Sequence, residues 1–232
     1  MEIPPQKVFV AQKWMIKKAK LAGKPTITAT QMLESMCKNP RPTRAEASDV
    51  ANAVLDGTDC VMLSGETAGG ANPLKAVAIM SKISTEAVHC SNSAETFNEF
   101  SKHPLTNQQE AIAMSAVQLS FKLNSTAIIC FTETGLMARL VSKYRPDAFI
   151  VAVSIDDKVI KGLSICRGVM CLKVPSFQGA DLIIKYAIKA ALKQNCCKEG
   201  EPVIVIHGQN EEHPDQENIL KIMTAQNFAQ EN

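Results

Sequence analysis

The sequence has almost no excess of charge, since 25 Lys and Arg residues against 23 Asp and Glu residues leave a net charge of +2. Both signs are interspersed along the chain, so charge alone indicates neither a nucleic-acid partner nor an acidic membrane surface. Long apolar runs are also missing, because no stretch reaches the roughly 18 consecutive apolar residues of a membrane span. The sequence therefore favours a globular protein with no nucleic-acid or membrane partner.

Metal-binding spacings are absent among the eight cysteines. Cys196 and Cys197 are adjacent and precede a Lys-Glu-Gly turn, without the partner ligands of a metal site. The first residues, Met1 to Pro5, are not typical of a signal peptide. We therefore expect a cytoplasmic protein with reduced thiols, no metal ligands, and structural or neutral roles for Cys196 and Cys197.

Two short apolar runs between Lys24 and Thr67, residues 26–29 and 60–63, predict β-strands with a helix between them. Each run ends in small hydroxyl, amide or acidic residues, which are Thr30 and Gln31 after the first strand and Ser64, Gly65 and Glu66 after the second. This order is typical of parallel βα units, whose functional residues gather at the carboxyl ends of the strands. The polar residues thus lie where a catalytic site is expected.

A proline-punctuated loop between these strands carries Arg41 and Arg44. Their guanidinium groups are suited either to local carboxylates or to a phosphorylated ligand, and we favour local pairing. Glu66 is a candidate partner, because its carboxylate could fix this loop. A substrate contact by Glu66 stays open as the alternative.

The composition changes near residue 90. Residues 91–107 are polar and poor in aliphatic side chains, which predicts a linker or a peripheral helix. From residue 108 to residue 232, apolar strand-like runs alternate with amphipathic segments, which predicts an open α/β domain with a parallel sheet. Residues 1–90 supply only two strands, too few to close a sheet. We expect them to be the last quarter of a larger (β/α) barrel whose other strands lie outside this sequence.

Several stretches resemble the pyruvate kinase family in sequence, order and spacing. In the first part they are ATQMLES at 29–35, RPTRAE at 41–46, SDVANAVLDG at 48–57 and MLSGET at 62–67. In the second part they are TETG at 132–135, KYRP at 143–146 and RGV at 167–169. The resemblance covers the whole chain but only about the last half of a usual family member. It implies the last two βα units of a (β/α)8 TIM-type barrel, followed by an open α/β C-terminal domain.

The resemblance implies phosphoryl transfer from phosphoenolpyruvate to ADP in a homotetramer that uses Mg²⁺ and K⁺. Thr30 matches the family threonine near the substrate, and Ser64 matches a serine in a proton path to it. We expect Gln31, Glu66, Arg41 and Arg44 to support the substrate loop. The family's metal ligands and phosphate-binding Arg and Lys lie outside this sequence, so we expect this chain to bind no cofactor and to be inactive alone. A truncated inactive fragment, or a stand-alone regulatory or subunit-interaction module, is the alternative.

Thr132, Thr134 and Gly135 match the loop that holds a phosphate of fructose 1,6-bisphosphate in responsive members of the family. Here the family's lysine is replaced by Glu133, and residues 209–215 contain three carboxylates. Like charges close together oppose anion binding. We therefore expect a vestigial effector loop, with binding of a smaller anion to the loop amides as the alternative.

Overall fold

The computed structural model describes residues 3–211, 213–216 and 218–226. Its contacts divide the chain into two units, Met1–Asn92 and Ser93–Asn232. Within the described ranges, no helix combines the length and the apolar character needed to cross a membrane. Both units combine helices with paired strands, which confirms the predicted α/β class.

The first unit holds the two predicted strands, which are shorter than expected. After a 3-10 turn at Pro5–Lys7, its elements are α1 (Val8–Leu21), β1 (Ile27–Thr28), a 3-10 helix (Glu34–Cys37), α2 (Arg44–Leu55), β2 (Cys60–Val61), α3 (Gly65–Ala68) and α4 (Pro73–His89). β1 and β2 pair in parallel, with Ile27 opposite Cys60 and Thr28 opposite Val61. Parallel pairing is therefore confirmed, although each strand has only two residues in the ladder.

Apolar side chains from the loop after β1 fill the core of the first unit. Met32, Leu33 and Met36 are almost completely buried and pack in one cluster with Val50 and Ala53 of α2 and with Ala76 and Met80 of α4. Burying these side chains holds the loop against the two helices. The backbone that follows Thr30 and Gln31 is thereby anchored by packing.

The second unit contains a five-stranded sheet. Its elements are α5 (Ser93–Phe100), α6 (Gln108–Leu123), β3 (Ala127–Phe131), α7 (Leu136–Lys143), β4 (Phe149–Ser154), α8 (Asp157–Leu163), β5 (Val169–Lys173), α9 (Ala180–Lys193), β6 (Pro202–Gly208) and β7 (Asn218–Thr224). The strand order is β5-β4-β3-β6-β7, with β3 to β6 parallel. This confirms the predicted alternation of strands and helices.

The last strand corrects the sequence prediction of a wholly parallel sheet. β7 pairs antiparallel with β6, with Gly208 opposite Asn218 and Pro202 opposite Thr224. The connection between the two strands spans residues 209–217 only, whereas a parallel crossover needs about a dozen residues or more. So short a connection permits a direct reversal of the chain, which makes β6 and β7 antiparallel.

Alternating strand residues give the sheet two apolar faces. On one face, α9 buries Ile184, Ala187 and Ile188 in a cluster with Ala127, Ile129, Val151, Val153, Val203 and Val205. The alternate residues Ile128, Ile150 and Ile204 are also fully buried, and α6, α7 and α8 contact the same strands. Covering both faces explains why these strands read as continuous apolar runs in the sequence.

Residues 93–100, inside the segment predicted to be a linker or a peripheral helix, form α5. Its Phe97 and Phe100 are buried. The Phe97 ring lies 5.6 Å from the ring of Phe121 and 5.9 Å from the ring of Tyr144, measured between centroids. Aromatic contacts of this kind attach α5 to the second unit.

A buried ion pair joins α6 to the end of α7. Glu110 and Lys143 are both nearly inaccessible, and Nζ of Lys143 bonds to Oε1 of Glu110. Tyr144 donates to the same oxygen at 3.0 Å, and Thr106 donates to Oε2 through both its amide and its hydroxyl. Burial raises the pKa of Glu110, but these hydrogen bonds outweigh it and lower the pKa to about 2. The carboxylate is thus charged and fully partnered.

Replacing Lys143 with Met should leave this carboxylate buried without its cation. We expect K143M to lower the free energy of unfolding by about 3–5 kcal/mol, measured by urea denaturation of the chain. The double variant E110Q/K143M should recover much of that loss, because the uncompensated charge is gone. The exposed Lys122 at the end of α6 supplies the control K122M. Equal costs for K143M and K122M would contradict the assignment.

Candidate functional site

Parallel pairing of β1 and β2 places the carboxyl ends of both strands at one edge of their sheet. The loop after β1 begins with Thr30 and Gln31, and the loop after β2 contains Ser64 and Glu66. Ser64 is exposed and immediately precedes α3. The four residues singled out from the sequence therefore lie in two loops that leave neighbouring strands at the same edge.

Thr30 and Gln31 have positive φ angles of 72° and 54°, a backbone conformation that residues other than glycine rarely adopt. A positive φ is a genuine outlier for a β-branched residue such as threonine. Such positions cost free energy and cluster at functional sites. Both residues are exposed and border a cavity of about 590 Å³ that also contacts α1 and α2. The hydroxyl of Thr30 donates to the carbonyl of Ala29 at 2.6 Å.

Glu66 connects the two loops. Its side chain is buried, with 1% exposure, and its two oxygens accept hydrogen bonds from the amides of Leu33 at 3.0 Å and of Ser64 at 2.7 Å. Burial raises the pKa of this carboxyl group, but bonds from backbone amides outweigh burial and hold the pKa below its usual value. A charged carboxylate thus fixes one loop relative to the other.

A second carboxylate, Glu46, was not identified from the sequence. It accepts from the amide and hydroxyl of Ser35 at 2.7 and 2.6 Å, and it completes a capping box with Thr43 at the start of α2. Burial raises its pKa, but the bonds from Ser35 and Thr43 lower the pKa to about 2. The Thr-x-x-Glu spacing at 43–46 is the sequence pattern of a capping box, and it explains why α2 begins at Arg44.

The expected local pairing of Arg41 and Arg44 is wrong for the described part of the chain. Both side chains are exposed, and neither forms an ion pair with any residue that the structure describes. Glu66 does not serve as their partner, because backbone amides already use both of its oxygens. Arg41 and Arg44 therefore leave their charges open to solvent.

Magnesium prefers oxygen ligands, commonly carboxylates held close together. Throughout residues 3–211, 213–216 and 218–226, no group of three or more His, Cys, Asp or Glu side chains is arranged to hold a metal ion. The described residues consequently do not fit the Mg²⁺ that the resemblance implies for a complete enzyme.

In the second unit, the predicted effector loop connects β3 to α7. Gly135 has a φ of 79°, and its amide donates to the hydroxyl of Thr132 at 2.9 Å. The hydroxyl of Thr132 and the hydroxyl and amide of Thr134 all donate to the carboxylate of Asp215, at 2.7–2.8 Å. Of the three carboxylates expected beside this loop, Glu211 and Asp215 are described, and Glu212 lies outside the described residues. The sequence did not show that a carboxylate bonds directly to the loop.

Most of the chain matches known protein families. The family model for the pyruvate kinase barrel domain matches residues 1–77, and that for the pyruvate kinase alpha/beta domain matches residues 110–223. A pyruvate kinase from Eimeria tenella is 51% identical over 228 residues, covering 97% of this chain and 43% of the relative. A cytosolic isozyme of pyruvate kinase from Solanum tuberosum is 45% identical, covering 89% of this chain and 45% of the relative.

A solved structure agrees with these matches. Cryptosporidium parvum pyruvate kinase in complex with ADP has a TM-score of 0.89 to this chain at 47% identity, covering 97% of this chain and 46% of that one. The strand-end loops and the parallel-rich sheet define an α/β protein with its candidate site at strand termini. The chain belongs to the pyruvate kinase family. It spans about half the length of the relatives it matches.

Replacing Glu66 with Gln should loosen the connection between the two loops. The amide side chain keeps one acceptor oxygen and presents an NH2 group to the other backbone N–H. We expect E66Q to lower the free energy of unfolding by about 1.5–3 kcal/mol in a denaturant titration. E86Q, at an exposed position of α4, is the matched control and should change stability little. An E66Q variant as stable as E86Q would argue against the bridging role.

Proposed function

We propose that this chain supplies the end of the catalytic barrel and the C-terminal domain of a pyruvate kinase. The complete enzyme transfers a phosphoryl group from phosphoenolpyruvate to ADP, giving pyruvate and ATP in glycolysis. The observation that carries the proposal is the Glu66 bridge, which holds the Thr30 and Ser64 loops together in a chain matched by both family models. The ADP complex of the Cryptosporidium parvum relative supports ADP as one substrate.

The proposed domain division follows the same reasoning. Residues 1–90 form the last two βα units of a (β/α)8 barrel, and residues 108–232 form the C-terminal domain. Residues 91–107 form a linker or a peripheral helix between them. The exposed apolar surface of α1 supports a missing barrel neighbour, because each of these side chains is more than half exposed: Val8, Phe9, Val10, Trp14 and Met15. A contiguous apolar surface of this kind marks an interaction face.

The proposed catalytic residues are Thr30, close to the substrate, and Ser64, in a proton path to it. Gln31 and Glu66 shape the loops around them. Arg41 and Arg44 support the substrate loop, and their exposed guanidinium groups are free of described carboxylate partners. Phosphoryl transfer depends mainly on positioning and on neutralising charge, so groups held by short, fixed loops suit this role.

Mg²⁺, K⁺ and the phosphate-binding cations are proposed to be held by the preceding part of the complete barrel. The described residues offer no group of carboxylates for a metal, which supports placing the metal ligands in the preceding part of the barrel. We place the enzyme in the cytoplasm, since the Solanum tuberosum relative is a cytosolic isozyme. We also propose that the response to fructose 1,6-bisphosphate is lost, because Asp215 already bonds to the effector-loop donors.

The chain alone should show no pyruvate kinase activity. Loss of the cations around the transferring group removes charge stabilisation, and one donor of that kind is worth roughly 10²–10³ in rate. A coupled assay with phosphoenolpyruvate, ADP, Mg²⁺ and K⁺ tests this. The same chain preceded by the barrel segment of a relative is the positive control. Within that longer protein, S64A should lower kcat by about a hundredfold, whereas E86Q should not. Turnover by the chain alone would contradict the proposal.

We further propose that the second unit mediates formation of a homo-oligomer. β7 lies at the edge of the sheet, and Ile222 on it is 55% exposed. An edge strand offers unpaired backbone groups to another strand.

We expect the chain to sediment as a dimer or larger species at high concentration. I222K should shift it towards the monomer, because a charge is placed on the exposed strand. L74K, at an exposed apolar position of the first unit, serves as the control and should leave the distribution unchanged. A monomer at every concentration would speak against this surface.

A further inference from the structure

Two helices of the second unit begin without a side-chain cap of their own. α7 follows Gly135 and α9 follows Gly179, and both glycines have positive φ angles, 79° and 81°. Neither glycine can accept a hydrogen bond through a side chain. The first amides of a helix lack partners within the helix and carry partial positive charge. The start of α9 therefore needs an acceptor from elsewhere in the fold, whereas at α7 the hydroxyls of Thr132 and Thr134 accept from the amides of Gly135 and Leu136.

The turn that precedes α7 donates to the carboxylate of Asp215. Oδ2 accepts from the amide of Thr134 at 2.8 Å, from its hydroxyl at 2.7 Å and from the amide of Glu133 at 3.2 Å. Oδ1 accepts from the hydroxyl of Thr132 at 2.8 Å. Asp215 is only 8% exposed and Thr132 is fully buried, whereas Glu133 and Thr134 are exposed residues.

At the start of α9, the acceptor is Glu211. Its two oxygens accept from the amides of Gly179 and Ala180, both at 2.9 Å. These backbone bonds hold the pKa of Glu211 below its usual value. Glu211 and Asp215 belong to the same connection between β6 and β7, so one short segment caps α9 and holds the turn before α7, both of which are far from it in sequence.

The segment is also fixed through its backbone. Gln109 of α6 donates to the carbonyl of Asp215 at 2.6 Å, and Asn218 of β7 donates to the carbonyl of Pro214 at 2.9 Å. A Cβ on Gly208 would lie 2.7 Å from the Cα of Pro214, so glycine permits the close approach of the two backbones. The two carboxylates are thus presented by a well-supported turn.

We propose that the β6–β7 connection is an acid clasp. We define the clasp as Glu211 bonded to the amino-terminal amides of α9, together with Asp215 bonded to the turn at residues 132–134 that precedes α7. Anionic ligands such as phosphate bind to helix starts of this kind. Here the protein's own carboxylates occupy both positions, which excludes inorganic phosphate from the Thr132–Thr134 turn and ties the β6–β7 connection to two helices. The clasp does not rest on the phosphotransferase activity proposed above.

Amide exchange measured by NMR on the whole chain tests the clasp. In D215A, the amide of Thr134 should exchange at least about tenfold faster than in the unchanged chain, because its charged acceptor is gone. Millimolar inorganic phosphate should slow this exchange again in D215A and leave it unaffected in the unchanged chain. E211A should instead speed exchange at Ala180 and leave Thr134 as it was.

Two controls separate the clasp from general loosening. D181N removes another carboxylate near the start of α9, one that is exposed and bonded to Lys221, and it should alter neither amide. Exchange at Ile129 in the sheet core should stay unchanged in every variant, and D215N, which keeps the side-chain size, replaces D215A if the core loosens. Equal exchange at Thr134 in D215A and D181N, or a response to phosphate in the unchanged chain, would overturn the proposal.

Discussion

A single buried carboxylate holds the candidate site together. β1 and β2 each contribute only two residues to their ladder, so the sheet itself does little to fix the loops that follow. Glu66 supplies the connection by accepting one amide from each loop. The strained backbone at Thr30 is tolerable because the next residues, Met32 and Leu33, are packed and hydrogen-bonded. The positions of Thr30 and Ser64 therefore depend on a residue that itself has no proposed contact with substrate.

In both units, buried or loop carboxylates accept hydrogen bonds from backbone amides of other segments. Backbone amides at the ends of strands and helices must find acceptors, because an unpaired buried N–H is costly. Here carboxylates from other segments provide them: Glu46 for the loop around Ser35, Glu211 for α9 and Asp215 for the turn before α7. Several acidic residues that appear in the sequence to be candidates for charge pairing are used instead as acceptors for the main chain. Arg41 and Arg44 form no ion pair with any residue that the structure describes.

Patterns within one element were readable from the sequence, whereas contacts between elements were not. The strand Phe149–Ser154 coincides with an apolar run that has clear ends in the sequence. The prediction of a parallel sheet was wrong for β7, since periodicity does not report strand direction. The partners of Glu66 were not predicted, because the groups that bond to it at Leu33 and Ser64 are backbone amides, which carry no signature in side-chain identity.

The bonds around α7 have a mechanical consequence. Asp215 holds the turn at Thr134 before the helix, and Lys143 at the other end is joined to Glu110 of α6. Gln109, the neighbour of Glu110, returns to the backbone of Asp215. These links form a closed frame in which α7, about 12 Å long, is the rigid member. Because the frame is closed, breaking one link leaves its members joined through the others. A displacement of the β6–β7 turn acts directly on both α6 and the turn before α7 through the hydrogen bonds of Asp215.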